Sequence, residues 1–458
     1  MARSDVYSRP LDRPFSALVI VFAAWKALLL LTAFASPGPG YDTSTTLLLG
    51  QDAAASALVT TSVPWSATPG ERLVSKLVRW DAIYFTAAAE RGYQHEQEWA
   101  FSWAFSHLMA NTAKILPLAG DHLATLAWSG VILSNVSHLL SVLVLYQLAT
   151  LLFPGPTLRK TAFLTATLHV LSPAGLFLSA PYGEALFSLL NFSGMLCYAY
   201  ARVRLNGHAA YFLCILASGL CFGLATMVRT NGLLSGLILL YDVFRSLPGL
   251  LGPNRAIVDT FVRLTGAILA GFMVASGLII PQLVAYQQYC TLVGLPRIRP
   301  NKLRLTQTRT MPGRGVQSYH LAFILGYNII IAAPTLWIMA CSALRVIRRF
   351  SVRSGTAELL STEQVSLRTE TPHLLVAFGI PQLALAMLAA TNFHVQIVNR
   401  ISSGYPIWYL GIASGMDYVS DPLKIAFASK HTCKSIVRLM MIYAIVQGAL
   451  FASFLPPA

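Results

Sequence analysis

Acidic residues are scarce in this chain, 18 among 458, so the places where they gather carry information. Four of them, Asp81, Glu90, Glu96 and Glu98, share one short stretch with Trp80, Tyr84, Phe85, Tyr93 and His95. Carboxylates beside Trp and Tyr suit carbohydrate, because aromatic faces stack on pyranose C–H groups and carboxylates accept hydroxyl hydrogen bonds. A positioned carboxylate also takes the proton of an attacking hydroxyl as a general base. The same residue types fit an amphipathic surface helix whose charges are merely solvated.

Three further groups stand out. Glu184 is the only acid between Asp121 and Asp242 and follows Ala180-Pro181-Tyr182-Gly183. An ionisable group at the end of an apolar helix reads either as functional or as an acid favoured by the helix N-terminus. Arg229, in Met227-Val228-Arg229-Thr230-Asn231-Gly232, either holds a phosphate or snorkels to headgroups. His394, Gln396, Asn399 and Arg400 gather polar donors just before the aromatic run Tyr405-Pro406-Ile407-Trp408-Tyr409, which also fits an interfacial anchor. No metal site is expected, because the ten histidines are dispersed and the six cysteines show no CxxC spacing.

The elements that must position these groups are membrane helices. Hydrophobic residues make up 55% of the chain and charged ones 11%, with mean hydropathy +0.60, against about a quarter charged in soluble domains. Apolar runs long enough to cross a bilayer predict about eleven spans: 15–35, 122–152, 161–180, 184–201, 209–228, 231–247, 264–287, 321–344, 372–391, 404–419 and 435–454. Ala33-Phe34-Ala35 resembles a cleavage site, but the apolar stretch before it is longer than a signal core, so it is read as an uncleaved first span. The net charge of +15 is spread in short clusters between apolar runs, which excludes a nucleic-acid footprint.

The positive-inside rule puts Arg3, Arg9 and Arg13 in the cytoplasm, and alternation then puts Arg159-Lys160, Arg202 with Arg204, Arg245 with Arg255, Arg345 with Arg348-Arg349, and Lys424 with Lys430 on that same side. Every polar constellation named above falls on the opposite face. Two sequons, at Asn135 and Asn191, lie inside apolar spans and are read as unglycosylated.

At these residues the sequence resembles the second mannosyltransferase of glycosylphosphatidylinositol (GPI) anchor synthesis. Trp80-Asp81-Ala82 with Gly92-Tyr93 and Glu96 looks like that family's first luminal-loop motif, and Trp99 to Phe105 is similar to its fungal branch. Ser172-Pro173-Ala174, Ala180-Pro181-Tyr182 with Glu184, Arg229-Thr230-Asn231-Gly232, and His394-Val395-Gln396 through Arg400 to Pro406 match further blocks in order.

The resemblance implies an all-α polytopic endoplasmic reticulum membrane enzyme of the GT-C type, with its active site luminal. The implied layout is a cytoplasmic N-terminus (1–14), a first helix (15–35), a large first luminal loop with the catalytic motif (36–121), a helical bundle (122–287), a basic loop (288–320) and C-terminal transmembrane helices (321–458). The implied reaction moves mannose from dolichyl-phosphate mannose to the first mannose of a GPI precursor, forming an α-1,6 linkage with inversion and no cofactor beyond that lipid-linked donor. Asp81 is then the base. Trp80, Glu96, Tyr182, Glu184, Arg229, Asn231, His394, Gln396 and Arg400 are candidates for substrate binding, with Arg229, His394 and Arg400 near the departing phosphate. Membrane lipids and an accessory membrane subunit are the expected partners, with no nucleic acid.

The sequence departs from the family between about Leu295 and Tyr327, where Arg297, Arg299, Lys302, Arg304, Arg309 and Arg314 replace an aromatic segment. An insertion or a shifted reading frame would each produce this, and contacts from that loop are not carried over. Rival readings are another polyprenyl-phosphate sugar transferase, a non-catalytic subunit and a transporter. A transporter would need its charged groups near the midplane rather than at one face.

Overall fold

The computed structural model describes residues 10–37, 68–101, 103–116, 122–153, 155, 158–205, 207–251, 254–291, 314–351, 362–391, 397–417 and 425–453, and contains no strand among them. The protein is an all-α polytopic membrane protein. Its first helix, α1 (Pro14–Ala35), is followed by three shorter ones, α2 (Pro69–Leu77), α3 (Asp81–Arg91) and α4 (Trp103–Ile115). The long α5 (His122–Leu152) leads to α6 (Arg159–Val170), α7 (Glu184–Arg204), α8 (His208–Val228) and α9 (Gly236–Ser246). Then come α10 (Asn254–Tyr286), α11 (Arg314–Ser351), α12 (Thr362–Thr391), α13 (Ile407–Met416) and α14 (Lys430–Ala452).

Seven helical stretches among the described residues are long and apolar enough to cross a bilayer. Leu31, Leu213, Phe261, Phe272 and Leu439 stand exposed on their outer surfaces, where hydrocarbon rather than water is the fitting solvent. Seven of the eleven expected runs coincide with these stretches; 184–201 and 321–344 lie in helices that are not among them, and two others are not helical throughout. The run 161–180 is helical only over the 12 residues of α6, too short to cross alone. Beyond it, Pro173 cannot continue a helix and Gly175 takes φ +49°, so the chain to Gly183 is irregular around a 3-10 turn, Gly175–Leu178. The run 404–419 forms only the ten-residue α13.

The helices α5, α7, α8 and α10 form a continuous packed row. Helices α8 and α10 approach backbone to backbone. A Cβ at Gly219 would meet Ala270 Cα at 2.5 Å, one at Gly223 would run into the Met273 carbonyl, and one at Gly277 into the Gly223 carbonyl. Small residues permit this closeness, which is how membrane helices gain dispersion energy without a hydrophobic driving force between them.

At one end of the bundle, where α7 finishes, four charges meet. Arg202 pairs with Asp242 at 3.1 Å and with Glu370 at 3.1 Å, and Arg245 binds Glu370 through two contacts of 2.7 Å. Arg202 and Arg245 were expected in cytoplasmic loops. The structure instead tucks them between helices, because Asp242 one turn before Arg245 and Glu370 on α12 supply partners.

Candidate active site

At the other end of α7, a chain of four charged groups links segments far apart in sequence. Arg400 donates from Nη1 to Asp81 Oδ2 at 2.8 Å. Its Nε and Nη2 reach Glu184 Oε1 at 2.8 and 2.7 Å. The same Glu184 oxygen accepts from Arg229 Nη1 at 2.7 Å. Glu184 is fully buried, whereas the Asp81 side chain is 34% exposed. A buried carboxylate is tolerated only when paired, and two guanidiniums provide the pairing. Asp81 Oδ1 has no hydrogen-bond partner among the described residues.

Local structure explains how each group arrives. Asp81 opens α3, which sets its carboxylate beside the positive end of the helix dipole. Trp80, just before it, has φ 56° and ψ −129°, a region that costs a residue other than glycine about 1–3 kcal/mol and persists only when its surroundings impose it. Tyr182 supplies that constraint, donating from Oη to the Arg79 carbonyl at 3.0 Å. The Arg400 guanidinium lies over the Tyr182 ring at 4.8 Å and the Phe177 ring at 4.6 Å, so cation–π attraction fixes its plane.

Arg400 sits in the short turn Val398–Ile401. Beyond it the Gly404 carbonyl accepts from Asn191 Nδ2 at 2.8 Å, and Asn191 in turn accepts from Ser235 at 2.6 Å. A Cβ at Gly404 would run into the Phe187 ring. Arg229 ends α8, and Asn231, two residues on, exchanges bonds with Tyr405 Oη at 3.3 and 3.1 Å.

A cavity of about 210 Å³ opens on this chain. Asp81, Arg229, Asn231 and Arg400 form its polar side, and Trp99, Phe101 and Trp103 an aromatic side. Helix α10 closes it with Gly277, Leu278, Pro281 and Gln282, while Ile279, Ile280 and Leu283 of that helix face outward and exposed. The cavity is therefore one helix away from the lipid. Pro281 has no N–H to offer the carbonyl four residues earlier, so Gly277 loses its helical partner within the cavity wall. Such a mixture of apolar walls with few convergent polar groups is what small-molecule sites use.

The aromatic side is carried by a knitted loop. Glu98 binds Arg91 at 2.6 Å and accepts from the Gln94 and His95 amides at 2.9 and 3.2 Å. Burial opposes ionisation of Glu98, but Arg91 and the two amides outweigh it and hold its carboxyl below the usual range. Burial pushes the Tyr93 phenol up to about 12, so it stays a neutral donor. Tyr93 packs on Trp99 at 4.6 Å, and Gln288 and Tyr289, beyond the end of α10, both donate to its carbonyl.

Of the residues singled out from sequence, Asp81, Glu184, Arg229 and Arg400 are joined in one chain, Tyr182 faces Arg400, and Asn231 lines the same cavity. Trp80 shapes the turn before Asp81 and packs on the core. Glu96 lies in the turn Glu96–Ala100, with its side chain outside the described residues. His394 and Gln396 lie outside the described residues altogether. Sequence reasoning missed the α10 wall, Pro281 and Gln282, which carry no charge to draw notice. It gave Trp99 and Trp103 only as part of a motif. Tyr405 was likewise named only within its aromatic run and not as a site residue.

The sequence matches the family described as Mannosyltransferase (PIG-V) over residues 17–309. It is 36% identical to a GPI mannosyltransferase 2 of Aspergillus fumigatus, over 97% of this chain and 94% of that protein. It is 34% identical to the proteins of that name from Aspergillus oryzae (98% and 96% covered) and Gibberella zeae (98% of each). An archaeal oligosaccharyltransferase from Archaeoglobus fulgidus overlaps it loosely, with TM-score 0.43 and 14% identity over 94% of this chain and 56% of that one.

Proposed function

The chain belongs to the mannosyltransferase (PIG-V) family, and from that premise we propose that it transfers mannose from dolichyl-phosphate mannose to the first mannose of a GPI precursor. The product linkage is α-1,6, and the reaction takes place on the luminal face of the endoplasmic reticulum membrane, in a GT-C-type architecture. The observation that carries this reading is the half-exposed Asp81 carboxylate at the cavity, held by Arg400 with Oδ2 engaged and Oδ1 open.

In this scheme the acceptor 6-hydroxyl attacks the anomeric carbon of the donor mannose from the face opposite the phosphate. Its proton passes to Asp81 as the new C–O bond forms. The bond from that carbon to the phosphate oxygen breaks, and dolichyl phosphate leaves with the electron pair. One displacement turns a β-linked donor into an α-linked product. A phosphate leaves without a general acid when cationic donors meet its growing charge. Arg229, on the cavity wall and bound to Glu184 through Nη1 alone, suits that role. Arg400 is already committed to two carboxylates. The aromatic side suits the apolar faces of the sugars, and no metal or other cofactor enters the scheme.

The test is transfer in membranes carrying the protein, supplied with dolichyl-phosphate mannose and a singly mannosylated GPI precursor, beside Asp81→Asn. Transfer by the wild type, reduced about 10²–10⁴-fold in a mutant of equal abundance, is expected. Equal transfer by both removes Asp81 as the base, and none by the wild type overturns the reading.

A further inference from the structure

Lys26 lies near the middle of the first membrane helix, α1, and is only 5% exposed. A lysine at that depth is expensive to place in a membrane, so something must engage it. Among the described residues its Nζ pairs with no carboxylate. It donates instead to the Leu178 carbonyl at 2.9 Å and to Ser179 Oγ at 2.7 Å, with the Phe22 ring 5.4 Å away.

Both acceptors belong to the irregular stretch between α6 and α7. Non-helical backbone at membrane depth persists only where protein groups satisfy it, and this stretch is served from two sides. Lys26 approaches from α1 and takes the last carbonyl of the turn Gly175–Leu178. From α5, Asn135 Nδ2 donates to the Ser179 carbonyl at 3.2 Å and Ser134 Oγ to the Tyr182 carbonyl at 3.2 Å. Within five residues of Ser179 come Tyr182, which holds the Arg79 carbonyl and faces Arg400, and Glu184, which holds Arg400 and Arg229.

We propose that Lys26 is a positioning residue for the active site: its Nζ fixes residues 178–184 and, through Tyr182 and Glu184, the placement of Arg400 and Asp81. The effect on rate rests on the reading of Asp81 as the base; the effect on placement does not. A misplacement of about 1 Å in a reacting group costs on the order of 10²-fold.

In purified full-length protein, Lys26→Met should lower kcat about 10–100-fold per folded molecule, with KM for dolichyl-phosphate mannose changed less than about twofold. Lys26→Gln, which keeps a donor without charge, should recover most of the loss. Hydrogen exchange should rise in 178–184 and at the start of α3 in Lys26→Met and stay unchanged in α8. That second readout stands even if the wild type transfers no mannose, which would sink the reaction and leave the positioning role to be judged on exchange alone. Unchanged exchange in 178–184 overturns the proposal, as does a loss of activity that only follows the loss of folded protein. Should Lys26→Met not accumulate, Ser179→Ala and Lys26→Gln carry the same two measurements.

Discussion

Asp81 and Glu184 share one guanidinium: Arg400 gives Nη1 to the first at 2.8 Å and Nε with Nη2 to the second at 2.8 and 2.7 Å. The exposed carboxylate is thus aimed by the buried one, through a side chain whose plane two aromatic rings set.

A lysine at 400 would keep the charge and lose the fork. Because one ammonium cannot bridge two carboxylates in a fixed plane, Arg400→Lys should lower kcat about 10²-fold while the protein remains folded. Arg400→Ala should also destabilise by about 3–5 kcal/mol, since it strips Glu184 of a buried partner. Rates and thermal unfolding in detergent check both, and wild-type rates in Arg400→Lys would show that the bridge is dispensable.

Arg229 separates donor from acceptor. If its guanidinium meets the donor phosphate, Arg229→Gln removes a charged hydrogen bond of about 1.5–3 kcal/mol. KM for dolichyl-phosphate mannose should then rise about 10–100-fold, with KM for the GPI precursor nearly unmoved. The opposite split would assign Arg229 to the acceptor.

Two glycines on α10 should answer differently to one added methyl. A Cβ at Gly271 meets nothing within 4 Å, whereas one at Gly277 runs into the Gly223 carbonyl. Gly277→Ala should cost about 1–3 kcal/mol by overpacking and lower transfer by moving the cavity wall. Gly271→Ala should leave both unchanged. Paired melting curves decide it, and equal behaviour of the two variants would mean that α10 shifts freely against α8.

The loop carrying Trp99 should loosen in acid. Since the folded pKa of Glu98 lies below its unfolded value, its stabilising share is fully present above about pH 4.3 and lost as pH falls through the lower folded value. Glu98→Gln should show at neutral pH the faster hydrogen exchange over 91–101 that the wild type shows only in acid. Equal exchange of the two proteins at neutral pH contradicts this.

Much of the site was legible because polar residues in an apolar chain are conspicuous. Asp81, Glu184, Arg229 and Arg400 stand out by type, and basic loops placed them on one face. Their bonding was not legible: Asp81 and Arg400 lie 319 positions apart, and nothing local pairs them. The eleven runs each contain a helix, but hydropathy could not show that 161–180 breaks, since Leu176, Phe177 and Leu178 are as apolar as a helix needs. Loop-charge counting likewise could not distinguish solvated arginines from Arg202 and Arg245, whose partners come from α9 and α12. Lys26 passed unnoticed because one lysine among so many apolar neighbours leaves the average untouched.

Asp81, Arg400, Glu184 and Arg229 carry two negative and two positive charges, which sum to zero. A neutral sugar enters such a site with nothing to gain from its net field. A phosphate gains only where a guanidinium still has N–H groups to give, and Arg229, bound to Glu184 through Nη1 alone, is that one. A phosphate that draws Arg229 toward itself takes one partner from Glu184 Oε1 and leaves that oxygen to Arg400 alone, so that arrival of the donor is felt at the guanidinium that holds Asp81. On the proposed reaction this couples the two substrates: seating the donor at Arg229 is relayed through Glu184 and Arg400 to the base that the acceptor hydroxyl meets.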